Sequence, residues 1–466
     1  MENNEQLRNE IAGFEAMLRK NEERFYDVEQ IEDITNYYLQ QNELNWAERA
    51  VKLGLSQHPS STELKLKYAQ ILSRRGKYQE ALRSLEEVTL LEFNNPELYL
   101  FKAEIYSELQ DYDHAIENFL EAINYTAEEE HDYIYVDIAA EFQNKGDFEK
   151  ARHYLKKAIL LNPYNDLAYL ELLFTMQIEE KVEDAITFFQ QVINKDPYNH
   201  VAWYYLGLSF QDMELYEKAI EAFDYSSVVK DDFVDAYIQK AECYIALDYY
   251  RNAITPLKDA LEHTDNVARI YYTLGECYEN LEEYEKAIEY YQECLKTNED
   301  IADAWVGIGI CLAHLHRLRE GFEYVKRALS IDPDNNEFLL IHAEFLRDLG
   351  NYGEAEKVYE RLMEVYPDSL EVWLDASELY FRMDDYEKAT ETVSEGIKHL
   401  PSFVELTYRL AGYLYLRGYI QEARRTLAGA LETDFQKHKD FLGFFSELEN
   451  DPQLIELINQ YRTNGN

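Results

Sequence analysis

Three cysteines, Cys243, Cys277 and Cys311, recur at intervals of 34 residues, and evenly spaced thiols are the first place to look for a metal or a redox pair. Zinc needs its sulfurs about 2.3 Å from one centre. Residues one helical repeat apart stand on the order of 10 Å from each other at ordinary packing distances. The interval therefore puts each thiol in the same buried place of a different unit, not around one ion. Cys294 falls in another phase and reads as a small packing residue. His314 and His316 are two residues apart; on a helix they point to different faces, whereas a joint ligand pair needs a spacing of four. Gly307 and Gly309 lack the third glycine and the preceding strand of a dinucleotide loop. No phosphate loop, nucleophile elbow or HExxH segment occurs. Carboxylates are so abundant that any two could be named acid and base, which empties the assignment of content. The sequence predicts no metal, no cofactor and no catalytic residue.

The charge balance narrows the partners. The chain carries 45 Lys and Arg against 91 Asp and Glu, a net charge of −46 over 466 residues. Nucleic acid is held by releasing counterions onto Lys and Arg, and this field is of the wrong sign. An anionic membrane surface is disfavoured for the same reason. Hydrophobic residues make up 46%, enough to build a large core. Nine prolines and 17 glycines are few, which favours helix nearly throughout. The longest uncharged stretch of note, Ala304 to His316, is too short to cross a bilayer. The opening MENNEQLRNEIAGF has no cationic start followed by an apolar stretch, so no secretory signal is expected. A cytoplasmic protein is the expectation, and four cysteines fit a reducing compartment.

The elements that must position these side chains follow from an internal period. AWYYLGLSFQDMELYEKAIEAF begins at Ala202 and IYYTLGECYENLEEYEKAIEYY at Ile270, with Gly207 and Gly275 separated by 68 residues. One small residue recurs at Ala47, Ala81, Ala115, Ala151, Ala185, Ala219, Ala253, Ala287, Gly321, Ala355, Ala389 and Ala423. Every step is 34 except that from 115 to 151, which is 36. Twelve repeats thus start at residues 28, 62, 96, 132, 166, 200, 234, 268, 302, 336, 370 and 404. Pro59, Pro163, Pro197, Pro333, Pro367 and Pro401 all occupy repeat position 32, where proline ends a helix by lacking an amide donor. Tyr78, Tyr112, Tyr216, Tyr250, Tyr284, Tyr352 and Tyr386 share position 17, at the turn between paired helices.

These residues resemble the tetratricopeptide repeat (TPR) family over roughly residues 28–437. Trp203, Leu206, Gly207, Phe210, Ala219 and Phe223 fill the family's places in the sixth repeat. The resemblance implies an all-α fold, a right-handed α-solenoid of helical hairpins, each burying its apolar face only by stacking on its neighbours. Residues 1–27 carry Leu7, Ile11, Phe14 and Leu18 at helical spacing and suit a capping helix. Residues 438–466 hold a degenerate first helix with Phe441, Phe444, Phe445 and Leu448, then a short last helix with Leu454, Leu457 and Ile458. Two departures stand out. Pro256 lies inside a second helix, where a kink or a lost hydrogen bond is expected, and two extra residues near Glu128, Glu129 and Glu130 lengthen an exposed loop.

In TPR proteins, positions 2, 5, 9, 12 and 13 of the first helix line the concave face, where extended ligands lie. Those positions carry eighteen acidic and four basic residues here. Eight of the acids stand at position 2, where the helix dipole favours them anyway. Glu104, Glu242, Glu276, Glu344 and Glu378 all stand at position 9, with no Lys or Arg at positions 5 or 9 to neutralise them. Repeats four to six are apolar instead, with Tyr133, Val136, Leu167, Leu170, Phe174, Val201, Tyr204 and Leu208 at positions 2, 5 and 9. An apolar stripe flanked by carboxylates suits a protein or peptide partner with an apolar anchor and basic flanks.

The carboxylate clamp of chaperone-tail binders needs Lys or Arg at positions 5 and 9, which are absent. The asparagine ladder of protein O-glycosyltransferases needs Asn at position 6, which no repeat has. The reading is a non-catalytic scaffold for basic or amphipathic protein segments. A chaperone-like helper that holds clients by the apolar stripe, a regulatory subunit of an enzyme on another chain, and self-association are the alternatives.

Overall fold

The computed structural model describes residues 2–20, 24–89 and 91–462, and every regular element among them is helical. The first helix of each repeat starts at or next to position 1, as in Thr62–Arg74, Asp166–Ile178 and Leu370–Arg382. The second starts at position 17, as in Tyr216–Val229 and Tyr284–Thr297. Each phased proline sits two residues beyond the end of a second helix, Pro163 after Leu161 and Pro367 after Val365 among them. Before the next first helix, Ser61, Asn95, Asn165, Asn199, Asn335 or Ser369 accepts a hydrogen bond from an amide of its opening turn. Those caps satisfy donors that the helix itself cannot.

Between the two helices of a hairpin the chain reverses at position 15, in a left-handed conformation in all twelve repeats. Gly76, Gly146, Gly350 and Gly418 do this without strain, while Asn42, Gln110, Glu180, Glu214, Asp248, Glu282, His316 and Asp384 have φ between 55° and 61°. The recurring small residue at position 20 is buried in every repeat, because the paired helices touch there. In the ninth repeat that residue is Gly321, on which a Cβ would stand 2.5 Å from the carbonyl oxygen of Gly309.

The chain divides into two compact units, residues 1–243 and 244–466. In the first, the helix Glu2–Lys20 buries Ile11, Phe14 and Met17 with Ile31, Ile34 and Tyr38. The largest core cluster of this unit spans repeats three to six and centres on Ile138, Leu155, Tyr169, Phe189 and Tyr205. Glu128–Glu130 form one exposed 3₁₀ turn, where the two extra residues fall. In the second unit, Tyr250–Leu261 continues as helix through Pro256, whose ring is buried. The expected single first helix after residue 437 is instead broken into His438–Phe444 and a 3₁₀ turn at Ser446–Leu448, because Phe445 leaves helical dihedrals. Phe441, Phe445 and Leu448 are buried there, together with Leu454, Leu457 and Ile458 of Pro452–Arg462. Among the described residues no helix is long and apolar enough to cross a membrane.

Candidate partner-binding surface

The first helix of the fifth repeat, Asp166–Ile178, is the most apolar surface element of the first unit. Its start is pinned from outside the helix. Asn165 accepts from the Ala168 amide at 3.0 Å, and Asn162 and Asn165 both donate to Oδ2 of the buried Asp132 at 2.8 Å. One face then enters the core through Ala168, Tyr169, Leu172, Leu173 and Met176. The opposite face leaves Leu167 48%, Leu170 48%, Phe174 54% and Ile178 50% exposed. Their spacing of three, four and four residues draws one line along the helix. Tyr133 is exposed on the preceding first helix, His131–Asn144. Fully burying a Leu, Ile or Phe side chain yields about 1.5–3 kcal/mol. Covering these half-exposed residues therefore leaves several kcal/mol available to a partner.

The remaining residues of the expected stripe are placed differently. Val136 and Val201 are buried members of the core and cannot meet a partner. Their short branched side chains end within the cluster, against whose edge Tyr204 and Leu208 pack half-buried. Tyr204 is committed to neighbours, its ring 5.1 Å from Phe233 and 5.7 Å from Phe223.

Glu104, on Pro96–Glu108, keeps solvent-accessible area, but the protein around it costs it hydration and raises its carboxyl above the usual range. Asp137, on His131–Asn144, is pushed up to about 6, first by lost hydration and then by the charges of Glu104 and Glu141. Glu141 lies on the same helix, is only 5% exposed, and its Oε2 has no hydrogen-bond partner. Glu242 is half-buried on Val234–Ala246.

In the second unit the position-9 acids are not bare. Glu344 and Asp375 share a hydrogen bond, and Glu344 is held up at about 7 by burial and by the Asp375 charge. Arg347, 8% exposed, reaches Asp375 at 3.1 Å, Asp348 at 3.3 Å and Glu378 at 3.7 Å. Arg382 adds contacts of 2.7 Å to both Glu378 and Asp348. The expectation of unneutralised carboxylates is thus corrected for Glu378. Arginines at positions 12 and 13, reaching back along the helix and across to the next, supply the counter-charge that positions 5 and 9 lack.

Glu276 is half-buried and lines a cavity of about 190 Å³ with Tyr272, Glu279, Tyr291, Asp303 and Glu337. Burial raises Glu276 and Glu279, opposed by hydrogen bonds from Tyr272 and Tyr291 respectively. Cys243, Cys277, Cys294 and Cys311 are all free and buried. Burial pushes Cys243 and Cys277 up to about 12 and Cys294 up to about 11. Among the described residues no group of three His, Cys, Asp or Glu could hold a metal ion.

Sequence reasoning missed Ile178, Asp137, Glu141, Asp375 and Arg347. Ile178 was within reach, since it extends the apolar line at position 13. Arg347 carried a signal too, as the one basic residue at position 12 in twelve repeats. Glu141 carried none, because position 10 is otherwise a packing place.

The tetratricopeptide repeat profile matches residues 96–129, 133–165, 268–301 and 346–402. That of the protein prenyltransferase alpha subunit repeat matches residues 182–222. The human tetratricopeptide repeat protein 16 is 29% identical over 101 residues, which cover 20% of this chain and 12% of that protein. Similar solved structures include YrrB, described as a TPR protein with an unusual peptide-binding site, at 20% identity over 39% of this chain and 93% of that one, with a TM-score of 0.34. MamA is 25% identical over 35% of this chain and 95% of its own, with a TM-score of 0.33. The Cut9–Hcn1 hetero-tetramer of the APC/C is 13% identical over 84% of this chain and 97% of that one, with a TM-score of 0.42.

Proposed function

Since the chain is a tetratricopeptide repeat protein, we propose that it is a non-catalytic scaffold and that a basic, amphipathic segment of a partner docks on the first helices of repeats four and five. The observation that carries this reading is the line Leu167, Leu170, Phe174 and Ile178, half-exposed along one helix, with Tyr133, Glu104 and Asp137 on the two preceding first helices. An apolar anchor with cationic flanks answers both features at once. The net charge of −46 speeds the approach of such a partner by long-range attraction. It opposes a second copy of the same chain as occupant. A cytoplasmic setting, in which the four cysteines stay reduced, belongs to the same proposal.

The test is a synthetic amphipathic peptide of Leu, Phe and Arg, titrated by fluorescence anisotropy at about 50 mM and about 300 mM salt, a range over which exposed charges become screened. Leu170→Ser with Phe174→Ser weakens binding about tenfold or more, equal to ~1.4 kcal/mol, and leaves the helical circular dichroism unchanged. Salt weakens binding to the unaltered protein. No binding at low salt, or binding that the double variant leaves intact, refutes the proposal. Retention of uncharged apolar peptides regardless of salt replaces it with the client-holding alternative.

A further inference from the structure

We infer that repeat six holds a slot for one aromatic side chain of a partner, beside Trp203 and Phe210, where other repeats of this chain insert a ring of their own. None of the residues that line it belongs to the line Leu167, Leu170, Phe174 and Ile178. The slot therefore goes beyond the scaffold reading above and is tested apart from it.

The chain's own repeats supply the template. Positions 4 and 11 of a first helix are two turns apart on one face. In repeats four and eight both are aromatic, Tyr135 with Phe142 and Tyr271 with Tyr278. Position 23 of the second helix then brings a tyrosine against the pair. The Tyr154 ring lies 5.9 Å from Tyr135 and 5.6 Å from Phe142, stacked on the latter. The Tyr290 ring lies 6.3 Å from Tyr271 and 5.2 Å from Tyr278, again stacked on the latter. A lysine at position 19 completes the arrangement, with Lys150 5.2 Å over Phe142 and Lys286 5.2 Å over Tyr278.

Repeat six keeps every part of this arrangement except the inserted ring. Trp203 and Phe210 stand at positions 4 and 11, Lys218 at position 19 lies 5.6 Å over Phe210, and position 23 is Ala222. A cavity of about 490 Å³ opens there, lined by Trp203, Phe210, Ala222 and Tyr225 with Gln190 and Asn194 of Val182–Lys195. Ordinary ligand pockets measure about 300–1,000 Å³. The walls are fixed before an occupant arrives: the Tyr225 ring stacks on Trp203 at 4.6 Å, and the indole donates to the Pro197 carbonyl at 2.9 Å. Preorganised Trp and Tyr surfaces are where binding energy concentrates, and they take a further ring offset or edge-on. Glu221 lines the same cavity, with the exposed Glu217 one turn before it on the same face. The partner's ring is therefore one with basic neighbours, which the net charge of −46 also favours.

The probes are capped Arg-Tyr-Arg and Arg-Leu-Arg peptides, with p-cresol as the free ring, titrated by NMR at about 150 mM salt to screen the general field of the chain. The tyrosine peptide binds about fivefold or more tightly than the leucine peptide and shifts the Trp203 indole signal. Ala222→Tyr, which restores the ring of repeats four and eight, removes that preference. Gln190→Trp closes the cavity from an exposed position, so a folding defect in Ala222→Tyr does not spoil the test. Leu170→Ser with Phe174→Ser leaves the preference intact, which separates the slot from the apolar line. Equal binding of the two peptides, or a preference that survives both filling variants, overturns the slot, while the scaffold reading keeps its own test. A preference lost in the Leu170→Ser, Phe174→Ser variant puts the ring on the apolar line and overturns the slot as well. Binding of p-cresol as tight as that of the tyrosine peptide overturns a partner side chain as the occupant, in favour of a small aromatic molecule.

Discussion

Replacing Arg347 by methionine keeps the length and apolar stem of the side chain and deletes its charge. Asp375, 3.1 Å away, loses the arginine that pairs with it, while Asp348 at 3.3 Å and Glu378 at 3.7 Å are left with Arg382, 2.7 Å from each. Removing one partner of a buried ion pair costs about 3–5 kcal/mol. The side chains of Glu378 and Asp375 are 19% and 21% exposed, and Arg382 still pairs with Glu378, so the low end applies, about 3 kcal/mol. The cost depends on pH in a defined sense. Burial and mutual repulsion already hold Glu344 at about 7, with Asp375 also above its ordinary value, while Arg347 pulls both down.

Without the arginine both carboxyls rise further. A carboxyl raised in the folded state binds a proton more tightly there than when unfolded. Folded stability therefore falls as pH climbs from the ordinary carboxylate range through the raised value. The loss is full above about pH 8 and shrinks towards about pH 5, where Glu344 is protonated. For a unit the size of residues 244–466, each kcal/mol shifts the melting temperature by about 2–4 °C. Scanning calorimetry should show a fall of about 6–12 °C at pH 8 and less than half of that at pH 5. Faster amide exchange in Asn336–Asp348 and Leu370–Arg382 locates the loss. A fall that is equal at the two pH values, or below about 2 °C at pH 8, refutes the account of the cluster.

Gly321→Ala installs the residue that the other eleven repeats carry at position 20, yet its Cβ would stand 2.5 Å from the Gly309 carbonyl oxygen. Backbone cannot yield cheaply, so a loss of about 1–3 kcal/mol is expected in urea unfolding; an unchanged midpoint refutes the contact. The four thiols are buried and raised, three of them to about 11 or 12. A disulfide reagent at pH 8 should therefore leave the native protein unmodified and react with all four on unfolding. Rapid labelling of native protein would show a thiolate at the surface.

What could be read from the sequence was whatever repeats in phase. A small residue is required wherever two helices touch, proline where the second helix ends, and tyrosine where it begins. Each demand is local, so residue type and spacing declared the hairpin, its length and its number. The residue types of the acidic and apolar positions were legible for the same reason. Their states were not. Leu170 and Val136 share position 5, yet one is exposed and the other buried, because exposure depends on how far the neighbouring side chains reach. The left-handed turn at position 15 is marked by glycine in four repeats and hidden behind Asn, Gln, Glu, Asp or His in eight.

Glu344 and Glu104 likewise share position 9, but the counter-charge beside Glu344 comes from position 12 of its own helix and the opposing carboxylate from position 6 of the next. That geometry belongs to the offset at which one hairpin stacks on another. Periodicity specifies which faces must be covered. Which side chains then end up within about 4 Å of each other, and hence which charges are compensated, was decided only when the hairpins packed.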